Sequence, residues 1–347
     1  MRIPDYASIS ETVKTLCMFR MEKQKKFINA ILRKFQRNRE NFLKYVLVNK
    51  KYSIPSWFKK RIISSYSEKI LFYIVQEMQK KPPLWIRINR KKITKKEYQK
   101  ILKKRKIPYF SISKFPDSVQ IKKNCSTNNI PGFKKGICTI QDLSSQKSVL
   151  LLNPKNKENI LDMCAAPGCK TTYILEIAPK CSLTAVEKNK SRINLIYQNL
   201  FRLNLSCKII LGDGRNSKKW NKEKKLFDKI LLDPPCSSTG IIRRYPDILY
   251  NRSQEDIANF VKIQKQLLNT VWKFLKPGGI LVYSTCSILK EENEKQILNF
   301  IANHPDAKIE KNRKSFHTGI QLLPKSSQGD GFYFVKIFKN FLNFKDF

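Results

Sequence analysis

Histidine is scarce in this chain, acidic residues are outnumbered, and no long apolar run is present. Two histidines, His304 and His317, stand beside nine cysteines. The spacings among Cys125, Cys138, Cys164, Cys169, Cys181 and Cys207 contain no C-x-x-C pair. A zinc site therefore lacks its usual ligand pattern, and no metal is expected. The odd cysteine count and the lack of a secretory leader point to free thiols in a reducing compartment, with the cytoplasm as the expected location. The longest apolar runs, such as Ile70 to Val75, fall far short of the ~18 residues a membrane span needs, so a soluble protein with no membrane partner is expected. No G-x-G-x-x-G fingerprint, internal repeat or low-complexity tract appears beyond diffuse lysine richness.

The shortage of acids is the largest deviation. Against 69 Lys plus Arg stand 27 Asp plus Glu, a net charge of +42 spread along the whole chain. Such a charge makes a polyanion the natural partner. A genome biased toward codons for Lys, Asn and Ile would raise lysine as well, but it would not need to deplete acids this far.

What is present suffices for two domains or three: 347 residues, 41% hydrophobic, with 21 Phe and 13 Tyr. Residues 9 to 48 read as helical, with Phe27, Ile28, Ile31, Leu32 and Phe35 forming one apolar stripe opposite a basic face, expected to be core. Ser53-Ile54-Pro55-Ser56-Trp57 turns into a further helix running to about Lys80, where Lys81-Pro82-Pro83 ends it. Trp85 to Asn89 alternates like a strand, and Thr94-Lys95-Lys96-Glu97 is a capping box for the next helix. Pro116 to Gly136 reads as polar and turn-rich. From Asn159 onward strands and helices alternate, which predicts a mainly parallel, doubly wound sheet of Rossmann-like α/β class. The expected division is a helical region at 1–80, a small α/β module at 81–152 and a catalytic domain at 153–347.

The chemistry collects at strand ends. Leu161-Asp162-Met163-Cys164-Ala165-Ala166-Pro167-Gly168-Cys169-Lys170 is a small-residue turn between a strand and a helix, the kind of loop that lets a ligand approach backbone amides. By itself it could equally be an ordinary tight turn. Glu187 ends the next strand, where an acid suits a ribose diol, and Asp213 ends the third, where it could hold an adenine amino group. With the dinucleotide fingerprint absent, S-adenosylmethionine is the better cofactor. Cys236 follows Asp233-Pro234-Pro235, whose prolines aim it, and Cys286 follows the apolar run ILVYST. Cys286 read alone could be a plain buried cysteine. Two thiols beside a methyl-donor loop suit methylation at carbon 5 of a pyrimidine, with one thiolate adding to carbon 6 and the other group aiding its release. Asp233 can bind a cytosine edge. Arg243-Arg244-Tyr245 offers two guanidiniums and a ring for a splayed RNA strand, or else is a solvated basic loop.

LDMCAAPGCKTT, AVEKN, GDGRN, LLDPPCSSTGIIRRYPD, YSTCSILKEEN and GDGFYFVKI together resemble the RNA (cytosine-5) methyltransferases of the NOL1/NOP2/Sun group, and within it the bacterial RsmB type. The resemblance extends to PPLWIRINR and GICTIQDLSSQ ahead of the catalytic domain. It implies methylation of 16S ribosomal RNA at cytosine 967, on naked RNA or an early assembly intermediate, by a monomer using S-adenosylmethionine. It also implies roles: Cys286 as nucleophile, Cys236 as the second thiol, Asp233 as the base-edge acid. The cofactor contacts it implies are Cys164, Ala165, Ala166, Pro167, Gly168, Cys169, Lys170, Glu187, Asp213 and Asp233. The chain departs from the family pattern at Cys169, where Gly is usual, at Glu187, where Asp is usual, and at Pro234, where Ala is common. The family's NusB-like helical domain is about twice as long as the stretch before Lys80, so a partial domain lacking its first helices is expected. The rival readings are a transfer-RNA or other ribosomal-RNA cytosine methyltransferase, and an RNA-binding ribosome assembly factor that has lost catalysis.

Overall fold

The computed structural model describes residues 3–48, 54–122, 126–309 and 318–341, so Cys125 and His317 lie outside the described residues. These residues form two units that divide after Pro55.

The first unit holds α1 (Asp5–Thr15), α2 (Lys25–Arg37) and α3 (Arg39–Val48). Phe35 stacks on Phe42, and Arg39 pairs with Asp5 at 3.1 Å. Within this unit the stripe expected to be core is only partly covered: Ile28 and Leu32 are half-buried, whereas Phe27, Ile31 and Phe35 are 64%, 47% and 45% exposed.

The second unit opens with α4 (Ser56–Ser65) and α5 (Glu68–Met78). They read as one helix in the sequence, but Ser67 breaks the run and caps α5 by accepting from the Ile70 N–H at 3.2 Å. An antiparallel sheet follows, made of β1 (Leu84–Ile88), β2 (Tyr109–Ser111), β3 (Ser118–Ile121) and β4 (Cys138–Ile140) in the order β2-β3-β1-β4. Against it packs α6 (Lys95–Lys104) through Tyr98 and Leu102, opened by the expected Thr94 and Glu97 capping box. Strand β3 lies inside the stretch read as turn-rich. All four of its residues are buried although two are polar, because Ser118 bonds Gln146 and Gln120 bonds the Ser326 carbonyl.

After α7 (Leu143–Leu152) the chain alternates as expected through β5 (Asn159–Met163), α8 (Cys169–Ile177), β6 (Ser182–Glu187), α9 (Lys190–Leu203) and β7 (Lys208–Leu211). It continues through a short α10 (Ser217–Trp220), β8 (Phe227–Leu232), α11 (Gln254–Trp272), β9 (Leu275–Thr285), α12 (Glu294–Ala302), β10 (Ala307–Ile309), β11 (Ile320–Leu322) and β12 (Phe332–Lys339). The strand order is β10-β12-β9-β8-β5-β6-β7, with β11 paired to β12. The run from β7 to β9 is parallel, and β12 is antiparallel to both neighbours.

Period-2 alternation divides the apolar strand residues between two layers. Leu161, Met163, Ile230, Leu232, Leu281 and Tyr283 face α11 and α12, while Ile160, Leu231, Val282 and Ala185 face α7, α8 and α9. Both faces are covered, which is why these strands carry apolar residues at consecutive positions, as in Ile230 to Leu232 and Ile280 to Tyr283. Strand order reverses between β5 and β8, so a crevice opens beyond their carboxyl ends, the place where open α/β sheets bind ligands.

Candidate active site

The first wall of the crevice is the loop after β5. Cys164 takes the left-handed conformation at φ 65°, and its N–H and that of Ala165 both reach the Val186 carbonyl, at 2.9 and 3.1 Å. Gly168 then enters α8 at φ 95°, where a Cβ would also lie 3.1 Å from the Ile196 backbone of α9. Only glycine meets both demands. The result turns the N-terminus of α8, whose first N–H groups have no helical acceptor, toward the crevice. Glu187, buried at the end of β6, accepts from the Ala166 N–H at 3.2 Å and the Asn189 N–H at 2.9 Å. Asp213, past the end of β7, pairs with Arg215 at 2.6 Å and Lys188 at 3.2 Å. The Arg215 hydrogen bonds hold its carboxyl well below the usual range. Cys169 turns its thiol to the Ile140 carbonyl of β4, 3.9 Å away, and its own carbonyl accepts from Arg87 at 2.7 Å.

The second wall comes from the ends of β8 and β9. Asp233 pairs with Lys170 and accepts from the Ser284 hydroxyl at 3.2 Å. The Lys170 ammonium lies 5.2 Å from the Phe332 ring centroid. Burial pulls Lys170 downward, but the Asp233 carboxylate outweighs it and leaves the ammonium favoured. Four residues beyond β8, the Cys236 sulfur sits 3.5 Å from that of Cys286, which follows β9 directly. The Ser238 hydroxyl is 3.4 Å from the Cys286 sulfur.

The two thiols are not equivalent. A hydrogen bond from Cys236 pulls Cys286 below its ordinary value; burial opposes this, and Ser238 adds to it. Cys236 is pushed far up by the same bond and by burial. The shared bond thus favours the charge on Cys286 over Cys236.

The structure brings together Lys170, Asp233, Cys236 and Cys286, and sets the loop from Cys164 to Gly168 and Glu187 on the other wall. It does not offer Arg243 and Arg244 to an RNA strand. Arg243 is fully buried on Asp330 at 2.7 Å, and Arg244 is held by Asp330 and, at 3.1 Å, by Asp142. Both guanidiniums are spent on bracing the fold, and of the three residues only Tyr245 is well exposed. Sequence reasoning also missed Glu292, which binds the residue after each cysteine. The matching pair Cys236-Ser237 and Cys286-Ser287 was the available signal.

The model of the 16S rRNA methyltransferase RsmB/F family matches residues 149–338, more than half of the chain. The chain belongs to the RsmB/F family. A ferredoxin-like domain model of RsmF/B-like methyltransferases matches residues 54–128, and a NusB family model matches residues 1–37. The ribosomal RNA small subunit methyltransferase B of Photorhabdus laumondii is 42% identical over 339 residues, which cover 97% of this chain and 79% of that protein. That of Pectobacterium atrosepticum is 40% identical, over 98% of this chain and 79% of its own length. A solved methyltransferase homologue from Pyrococcus horikoshii superposes with a TM-score of 0.72 at 28% identity, covering 87% of this chain and 99% of that one. As an RsmB/F member the chain is an rRNA methyltransferase, built from a NusB-like region, a ferredoxin-like module and a Rossmann-like methyltransferase sheet.

Proposed function

We propose that this RsmB/F methyltransferase methylates carbon 5 of a cytosine in 16S ribosomal RNA, cytosine 967, through a covalent bond between Cys286 and carbon 6. The observation that carries the reading is the thiol pair 3.5 Å apart beyond the ends of β8 and β9, in which the shared hydrogen bond favours the thiolate on Cys286. S-adenosylmethionine supplies the electrophilic methyl group. The cofactor wall fits it: a helix N-terminus for the carboxylate, Glu187 for the ribose diol and Asp213 for the adenine edge. Cys164 to Lys170 would line its methionine end, with Asp233 between cofactor and base.

Carbon 5 of cytosine is too weak a nucleophile to take a methyl group unaided. Addition of the Cys286 thiolate to carbon 6 pushes the ring electron pair toward carbon 5, which can then attack. Asp233 meets the base edge, and its ion pair with Lys170 keeps its position fixed. Consumption of the Cys286 charge in the new bond removes the hydrogen bond and the charge that did most to hold Cys236 protonated. Cys236 then gives its proton to solvent and accepts the proton of carbon 5, and the carbon 6 bond breaks to return Cys286 as thiolate.

The test uses a 16S ribosomal RNA transcript and the methyl donor. Cys236→Ala should accumulate a denaturant-stable protein–RNA complex, and Cys286→Ala should give neither complex nor methylation. Bisulfite mapping of the wild-type product should place the mark at the proposed cytosine. A complex formed by the Cys286 variant would reverse the roles, and a mark elsewhere in the RNA would overturn the site.

A further inference from the structure

Glu292 lies in the turn between β9 and α12, fully buried, and takes no part in the steps above. One of its oxygens accepts from the Ser237 N–H at 2.8 Å and from the Gln264 amide at 3.0 Å. The other accepts from the Ser237 and Ser287 hydroxyls, each at 2.5 Å. Ser237 follows Cys236, and Ser287 follows Cys286. A single carboxylate therefore grips both cysteine loops at the residue next to each sulfur.

The surroundings make this grip directional. The Thr239 hydroxyl contacts those of Ser237 and Ser287 at 3.2 and 3.1 Å and accepts from the Ile288 N–H. The Gly240 N–H binds the Cys286 carbonyl at 2.8 Å. A buried carboxylate is a costly way to join two loops, since apolar residues of similar volume are often more stabilising. A buried carboxylate with both oxygens satisfied instead specifies one arrangement. The arrangement specified here is the one in which two sulfurs meet.

We propose that Glu292 is a positioning residue for methyl transfer, fixing the separation and alignment of Cys236 and Cys286 through Ser237 and Ser287; this rests on the thiol chemistry proposed above. The negative charge also works on the chemistry. After the Cys286 hydrogen bond, burial and the Cys286 charge, Glu292 adds to the forces that keep Cys236 protonated.

Two readouts test it. In RNA-free protein, diamide oxidises two adjacent thiols to a disulfide, so the rate of Cys236 to Cys286 pairing reports their alignment. Glu292→Gln should slow it by about 10-fold. In the Cys236→Ala background, Glu292→Gln should slow formation of the RNA adduct by about 10- to 100-fold, as an error of about 1 Å in placement does. The double variant Ser237→Ala with Ser287→Ala, which keeps the carboxylate but removes the two hydroxyls, should reproduce both losses. It decides the matter if Glu292→Gln fails to fold. Unchanged rates in both readouts for the variants that fold overturn the positioning role. An absent adduct with Glu292 intact would instead refute the thiol chemistry, and the diamide rate would then judge the positioning by itself.

Discussion

Asp162 is the strongest test of how burial controls charge in this sheet. It is fully buried near the end of β5, with one carboxyl oxygen accepting from the Thr171 hydroxyl at 2.6 Å and the other without a hydrogen-bond partner among the described residues. Burial pushes its pKa from 3.8 up to about 7; the Thr171 bond and Lys170 pull the other way, and the charges of Asp233 and Glu187 add to the rise. The folded state thus holds this proton more tightly than the unfolded chain does. Stability from this group is fully present below about pH 4 and is lost as pH rises toward 7. The difference in pKa, at 1.36 kcal/mol per pH unit, amounts to about 4 kcal/mol. Asp162→Asn keeps an acceptor for Thr171 and cannot ionise. Urea unfolding followed by tryptophan fluorescence should show the variant gaining on the wild type by about 4 kcal/mol between pH 4 and pH 8, most of it below pH 7. Any fixed effect of the amide cancels in that slope. A difference that stays level across this range would refute the reasoning, since a solvated or well-paired carboxylate would show no such trend.

Arg87→Met should lower stability by about 3–5 kcal/mol, because it leaves Glu176 buried without the guanidinium that binds both its oxygens at 3.0 and 2.8 Å. Adding Glu176→Met should recover most of that loss, and urea midpoints check both. Iodoacetamide labelling across pH should show Cys286 reaching half-maximal reactivity below its ordinary value of 9.0. Cys236→Ala removes the donor that favours the thiolate, so the midpoint should move up; a downward shift would contradict the pairing.

The parallel sheet was legible because β5, β6, β8 and β9 are buried on both faces and so contain consecutive apolar residues, such as Ile230 to Leu232 and Ile280 to Tyr283. The placement of the loop after β5 and of both cysteines was legible for a different reason, since each follows shortly after a strand that the apolar pattern had already marked. Strand β3 escaped notice because its polar residues find partners in Gln146 and Ser326, which local pattern cannot show. Arg243 and Arg244 were misread for the same reason. Their partners Asp330 and Asp142 lie 87 and 102 residues away, so a basic dipeptide looked free when both guanidiniums were held in ion pairs. The stripe on α2 obeyed helical periodicity, yet periodicity states which face is apolar and not whether enough neighbouring surface exists to cover it.

The long reach of these bonds sets a timetable for a chain leaving the ribosome. Glu77 of α5 is buried and binds the Ser326 N–H and hydroxyl at 2.9 and 2.8 Å, partners that are made 249 residues later. At about 5–20 residues per second, this acid waits roughly 12 to 50 seconds for them. Strand β12 is inserted between β9 and β10, so an inner position of the sheet is filled by the last described strand to emerge. The nascent polypeptide therefore carries an incomplete sheet from the emergence of β5 onward, and its β9 and β10 edges need shielding from other chains until β12 arrives.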